Sequence, residues 1–284
     1  MLKCIQIVTV FLVLSLARVA SAQLALPNEA GVAMGHLHYY VSDIEANTRF
    51  WVALGGKAGR VGQTVVVRFP DVLVLLTEGR SSGGTEGSIL NHVAFRVQSL
   101  ADVEAAGFEF NREDLSRGVT SVFTPEGERI ELFDDSATNL AFTTDDGAFD
   151  PVTDRHNQRL AVPVIAHHLH LYLPEGAVER AKQWYSSLFG GISGNRWRYA
   201  AVDLPGINFN FSSRPEVGMP TRGRMLDHIG LEVANLEAFC QGLESQGVQL
   251  EQPYTVGGEL GVATAVLTDP WGTSIILTEG LRSF

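Results

Sequence analysis

The chain of 284 residues is poor in cysteine, in positive charge and in long apolar runs. Its two cysteines are Cys4 and Cys240. Cys4 lies in an N-terminal segment with Lys3, an apolar run from Ile5 to Leu16, Arg18 soon after, and Ala20-Ser21-Ala22. A charged start, a short apolar stretch and a small-residue cleavage site read as a secretory signal peptide over residues 1–22. The expected destination is secreted or periplasmic. Cleavage after Ala22 leaves Cys240 alone, which excludes an intrachain disulfide in that oxidising setting. No cysteine follows the cleavage site to take a lipid, and no later run approaches the ~20 apolar residues of a membrane helix. Lysine and arginine number 21 against 32 acids, a formal net charge of −11, which becomes −13 when Lys3 and Arg18 leave. Such a balance argues against nucleic acid or an anionic membrane as partner. The expected partner is a small-molecule ligand, and the expected state a monomer or homodimer.

Histidine is where the sequence is organised. His36-Leu37-His38-Tyr39-Tyr40-Val41 returns as His168-Leu169-His170-Leu171-Tyr172-Leu173. Two related stretches begin at His92 and His228. Each alternates with period 2, the sign of a strand with one apolar face. The opposite faces carry His36, His38 and Tyr40; His92, Ala94 and Arg96; His168, His170 and Tyr172; His228, Gly230 and Glu232. Six of the eight histidines fall there.

Each histidine strand is followed by a helical pattern and then by short strands. Ser42 with Glu45 reads as a capping box for a helix ending at Gly55-Gly56. Phe50-Trp51 with Gly55-Gly56 is echoed by Trp184-Tyr185 with Gly190-Gly191, after a helix over Ala177–Leu188. A further helix over Leu236–Ser245 is capped by Asn235. The turns Thr124-Pro125-Glu126-Gly127 and Asp269-Pro270-Trp271-Gly272 correspond, and Val74–Gly79 recurs as Ile275–Gly280. Four similar units make an internal repeat. The expected boundaries are a first domain at 33–135 (units one and two), a connection at 136–163 and a second domain at 164–284 (units three and four). His156, in the connection, is expected to be solvated.

Four β-α-β-β-β units opening on histidine strands resemble the vicinal oxygen chelate superfamily, which includes glyoxalases, bleomycin-resistance proteins and extradiol dioxygenases. The resemblance spans about Gly35 to Gly280. It implies an α+β fold of four βαβββ modules paired into two cup-shaped mixed sheets with helices on the outer faces. It also implies metal ligands on the first strand of each unit and the last strand of one. Carried over residue by residue, these positions hold His36, His92 and Glu131. Alternation supports Glu131 independently, because Ile130 and Leu132 share the apolar face. Two imidazoles and a carboxylate suit a divalent ion such as Fe, Mn, Zn or Ni. His168 and His228 hold the same places in units three and four, but Ile276 replaces the carboxylate there, so the second domain is expected to be degenerate.

His38 and Tyr40 are candidate catalytic residues. Arg96 either pairs with an acid of the fold or anchors an anionic substrate. The tyrosine that marks ring-cleaving dioxygenases before the turn is replaced by Ser121 and Val266, and Leu75 stands where glyoxalases place a further carboxylate. Two functions follow: an exported metal-dependent enzyme of lyase, isomerase or dioxygenase type, and a non-catalytic small-molecule binding protein.

Overall fold

The computed structural model describes residues 23–110, 117–135, 141–148, 156, 158–258 and 260–284. The expected signal peptide, 1–22, lies outside them. The first unit runs β1 (Val32–Val41), α1 (Ile44–Ala53), β2 (Lys57–Val61), β3 (Thr64–Phe69) and β4 (Val72–Glu78). The second has β5 (Leu90–Val97), α2 (Leu100–Ala105), β6 (Val119–Phe123) and β7 (Arg129–Asp134), followed by β8 (Phe142–Thr144). The third has β9 (Val164–Pro174), α3 (Val178–Phe189), β10 (Ile192–Arg196), β11 (Tyr199–Leu204) and β12 (Ile207–Arg214). The fourth has β13 (Leu226–Val233), α4 (Leu236–Ser245), β14 (Gln252–Thr255), β15 (Ala263–Thr268) and β16 (Ser274–Glu279).

The strands form two mixed eight-stranded sheets. Within each unit the first and last strands are parallel neighbours, as in β1 with β4 and β5 with β7. Two first strands meet antiparallel at the centre of each sheet. The pairing differs from the expected one. β1 lies against β13 and β5 against β9, so units one and four share one sheet and units two and three share the other. Units one and two therefore occupy different cups, as do units three and four, and the boundary drawn at 135/164 falls between two units of one sheet. Register explains why alternation alone left this open: four strands with one apolar face and one histidine face satisfy either pairing equally.

The apolar faces of both sheets, with the helices outside the sheets, enclose one continuous core that runs from Leu37, Trp51 and Phe69 to Leu169, Tyr185 and Ile229. The histidine faces are concave. They too are buried, because they line cups and not open water: β1 and β9 are buried along nearly their whole length.

Local signals held with small shifts. The α1 cap is Asp43, whose side chain accepts from the amide of Ala46 at 2.8 Å, one residue later than the capping box implied. Ser42 instead gives its amide and hydroxyl to Glu126 of the second unit, at 2.6 and 2.8 Å. Asn235 caps α4, and Gly190 ends α3 at φ +67°. The connection at 136–163 is not purely a linker, since β8 pairs with β10 at the sheet edge. Nor is His156 solvated: it is 2% exposed, and its ring lies 4.2 Å from that of His167. Glu279, which alternation turns away from the cup, accepts from the amide of Leu236 at the start of α4.

Candidate metal centre

The centre of the second sheet gathers His92 from β5, His168 and His170 from β9, and Glu131 from β7. The Nε2 atoms of His92 and His168 are 3.2 Å apart. One oxygen of Glu131 lies 3.3 Å from the first and 3.6 Å from the second. Ligand atoms of His92, His168 and His170 fall within 4.8 Å of one another. Register produces this cluster: Ala94 stands opposite both His168 and Glu131, and His92 stands opposite His170.

Of the residues expected together, His92 and Glu131 meet and His36 does not join them. His36 lies across the core in the other cup, because β1 pairs with β13. The place expected for His36 is filled by His168.

Two bulges refine the cluster, each placing consecutive residues on one face where alternation would separate them. The register shift between Leu90 and His92 turns Asn91 toward His92, whose Nδ1 lies 2.8 Å from the Asn91 carbonyl oxygen. An amide oxygen can only accept, so His92 carries its proton on Nδ1 and presents a lone pair at Nε2. The second shift, opposite Ala94 and Phe95, turns His167 into the cup, where it stacks on Phe133 and meets His168 at 2.7 Å. Strict alternation hides both Asn91 and His167.

Burial keeps the imidazoles neutral. It pushes His92 down to about 3, with the Arg129 guanidinium adding to the effect. Burial and then neighbouring His92 take His170 to about 3 and hold His168 well below its ordinary value. Arg129 donates to the other oxygen of Glu131 at 2.9 Å and is itself held by Ser121 at 3.0 Å. Thus the position of the absent ring-cleavage tyrosine serves to orient Arg129. Asn210, opposite His170 on β12, is 2% exposed, and its side-chain oxygen has no hydrogen-bond partner. Converging neutral imidazoles, a carboxylate and a buried amide oxygen are a donor set that could hold a divalent cation. The cavity above them measures about 420 Å³ and is lined by Tyr172, Trp197, Tyr199 and several arginines.

Arg96 does not line it. Its guanidinium is buried between Asp135, at 2.5 Å, and the carbonyl of His156, at 2.7 Å. That resolves its alternatives toward holding the connection against the sheet.

The other cup has the same plan with different contents. His228, His36 and His38 take the places of His92, His168 and His170, while Ile276 and Leu75 take those of Glu131 and Asn210. Asp227, bulged as Asn91 is, sits 2.7 Å from Nδ1 of His228; Nε2 of His228 meets His38 at 3.2 Å, and His38 meets Thr77 at 2.9 Å. The candidate catalytic residue His38 is therefore engaged in this chain of hydrogen bonds, with Tyr40 beside it at 5.1 Å between rings. Both stand on the other sheet from Glu131. Gly230 matters here: a Cβ on it would lie 2.0 Å from the His36 ring, which occupies the space that the Ala94 methyl fills in the first cup. The cavity is about 200 Å³ and largely apolar. Among the described residues that line it there is no carboxylate.

Residues 165–277 match the family model described as the Glyoxalase/Bleomycin resistance protein/Dioxygenase superfamily. The chain has the vicinal oxygen chelate fold. The match covers the third and fourth units, and solved structures extend the likeness to all four. Glyoxalase I from Zea mays superposes with a TM-score of 0.60 at 14% identity, covering 89% of this chain and 94% of that one. A Bacillus subtilis protein described as a "putative dioxygenase" gives a TM-score of 0.60 at 12% identity, covering 90% and 86%. At those identities the vicinal oxygen chelate likeness concerns the fold. No curated protein sequence matches the chain.

Proposed function

We propose that the protein is a metal-dependent enzyme that binds a small substrate through two adjacent oxygens in the cup of units two and three. The carrying observation is the convergence of His92, His168 and Glu131 on one point at the base of a cavity. These residues would hold the ion, with His170 and Asn210 beside them. A divalent ion there supplies Lewis acidity to the bound oxygens. The chain's own residues do the rest. Asn91 fixes the His92 tautomer, and Arg129 holds Glu131 in place. Tyr172, Tyr199 and Trp197 wall the cavity with flat faces that admit a planar ligand. The Ser212 hydroxyl, 2.8 Å from Nε2 of His170, orients that ring in the cavity wall.

The reaction class within lyase, isomerase and dioxygenase is tested by loading the protein anaerobically with Fe(II), Mn(II), Zn(II) and Ni(II) in turn. Oxygen consumption with catechols marks a dioxygenase, and loss of a thiohemiacetal without oxygen marks a lyase or isomerase. Turnover with at least one metal, abolished in Glu131→Ala, is the expected result. Ligand binding without turnover under every metal contradicts it and favours the binding protein, the reading supported by the other cup, where Ile276 and Leu75 stand in place of Glu131 and Asn210.

Export is proposed on the charged start, apolar run and Ala20-Ser21-Ala22 of the first 22 residues. The N-terminus of protein recovered outside the cytoplasm is expected at Gln23. An intact Met1 there contradicts cleavage.

A further inference from the structure

The rim of the cup that holds His92, His168 and Glu131 has a charge opposite to that of the protein. Its lining includes Arg117, Arg129, Arg196 and Arg198, with Glu131 as the one carboxylate among the described residues. Arg129 is engaged with Glu131, and Arg196 is buried with Asp203 at 3.4 Å. Arg117 and Arg198 differ from both. They are exposed, and no acid among the described residues pairs with either. The Arg198 guanidinium lies over Trp197 at 4.3 Å and Tyr199 at 5.1 Å, and donates to the Tyr199 hydroxyl at 3.0 Å.

Trp197 strengthens the case. It is 53% exposed and holds φ +53°, left-handed backbone that a bulky residue rarely adopts. Strained backbone of this kind persists where surrounding structure enforces it and clusters at ligand sites. Here the hairpin turn between β10 and β11 keeps an indole and a guanidinium at the mouth of the cavity.

In a chain of net charge −11, anions are repelled in general, so an unpaired cationic rim selects them locally. We infer that the substrate is a planar, anionic molecule whose carboxylate or similar group is held by Arg117 and Arg198 while its two vicinal oxygens face His92, His168 and Glu131. The inference rests on the proposed function for the oxygen end, and on the rim alone for the anionic end. A cavity of about 420 Å³ suits a single ring with substituents.

The test compares catechol with 3,4-dihydroxybenzoate, which share the vicinal oxygens and differ by one carboxylate. Affinities are measured by calorimetry on metal-loaded and metal-free protein, for the wild type and for Arg117→Gln/Arg198→Gln. The wild type is expected to favour the carboxylated probe by about tenfold or more, as a charge-assisted contact worth ~1.4 kcal/mol requires. The double variant should retain its metal and its circular dichroism, yet lose the preference to within about threefold. The preference should also shrink as salt rises. Equal affinities in the wild type, an intact preference in the double variant, or no binding of either probe below about 1 mM overturns the inference. Preference without metal binding leaves the anionic rim standing and removes the metal-dependent reading. Metal binding without preference does the reverse.

Discussion

Alanine at His168 is expected to strip the metal from the protein as completely as alanine at His92 or Glu131, while alanine at His36 leaves the metal content unchanged. The wild type should hold about one ion per chain. Loss of a ligand should weaken binding by more than the 10–100-fold that outer-shell changes cost, leaving the three variants empty after desalting. The contrast between His168 and His36 is what the sheet pairing dictates. Both open a strand with the same His-Leu-His pattern, but β9 lies beside β5 and β1 does not. Elemental analysis of the four variants decides it. Metal lost with His36 and kept with His168 would mean that units one and two share a cup in solution.

Alanine at Trp51 is expected to lower stability by about 3–5 kcal/mol, the usual cost of truncating a fully buried large aromatic. Trp51 is 0% exposed. From α1 it meets Tyr39 and Phe69 of the first sheet, with ring centres 5.5 and 5.9 Å away, and Phe95 of the second at 5.8 Å. It therefore joins the two sheets, and its loss opens the shared core in both. The indole nitrogen has no hydrogen-bond partner, so phenylalanine should recover a substantial part of the loss. Urea unfolding of the two variants measures this. A cost below about 1 kcal/mol for alanine, comparable to a surface change, would contradict a single core.

The elements most visible in the sequence were those with strong periodicity. The four histidine strands, the helix over Leu236–Ser245 with its Asn235 cap, and the inward orientation of Glu131 all follow from alternation or capping chemistry. The edge strands β2 and β14 were not visible, since they are short and mostly exposed and need no apolar pattern. The mating of the sheets was not visible either. A strand's face can be read from its own residues, but its neighbour is chosen by register and loop reach among four nearly equivalent strands. Bulges account for the remaining gaps. Asn91, His167 and Asp227 would all fall on the apolar face under strict alternation, and each is turned by one extra residue toward an adjacent histidine. Two adjacent polar residues at the head of an alternating strand, as in Asn91-His92, His167-His168 and Asp227-His228, were the available sign.

The two cups show how one plan is armed or disarmed by few side chains. Glu131 and Asn210 supply oxygen donors where Ile276 and Leu75 supply none, and the His36 ring takes the space beside Gly230 that a Cβ would fill. Asp227 backs His228 with a carboxylate, yet the ring it orients points to His38 and not to an open coordination place.

The most direct test of the metal centre is anomalous diffraction from crystals of the protein loaded with Mn(II) or Zn(II). A single strong peak about 2.0–2.2 Å from Nε2 of His92, Nε2 of His168 and an oxygen of Glu131 is the predicted result. A peak beside His36 and His228, or none in either cup, would contradict it.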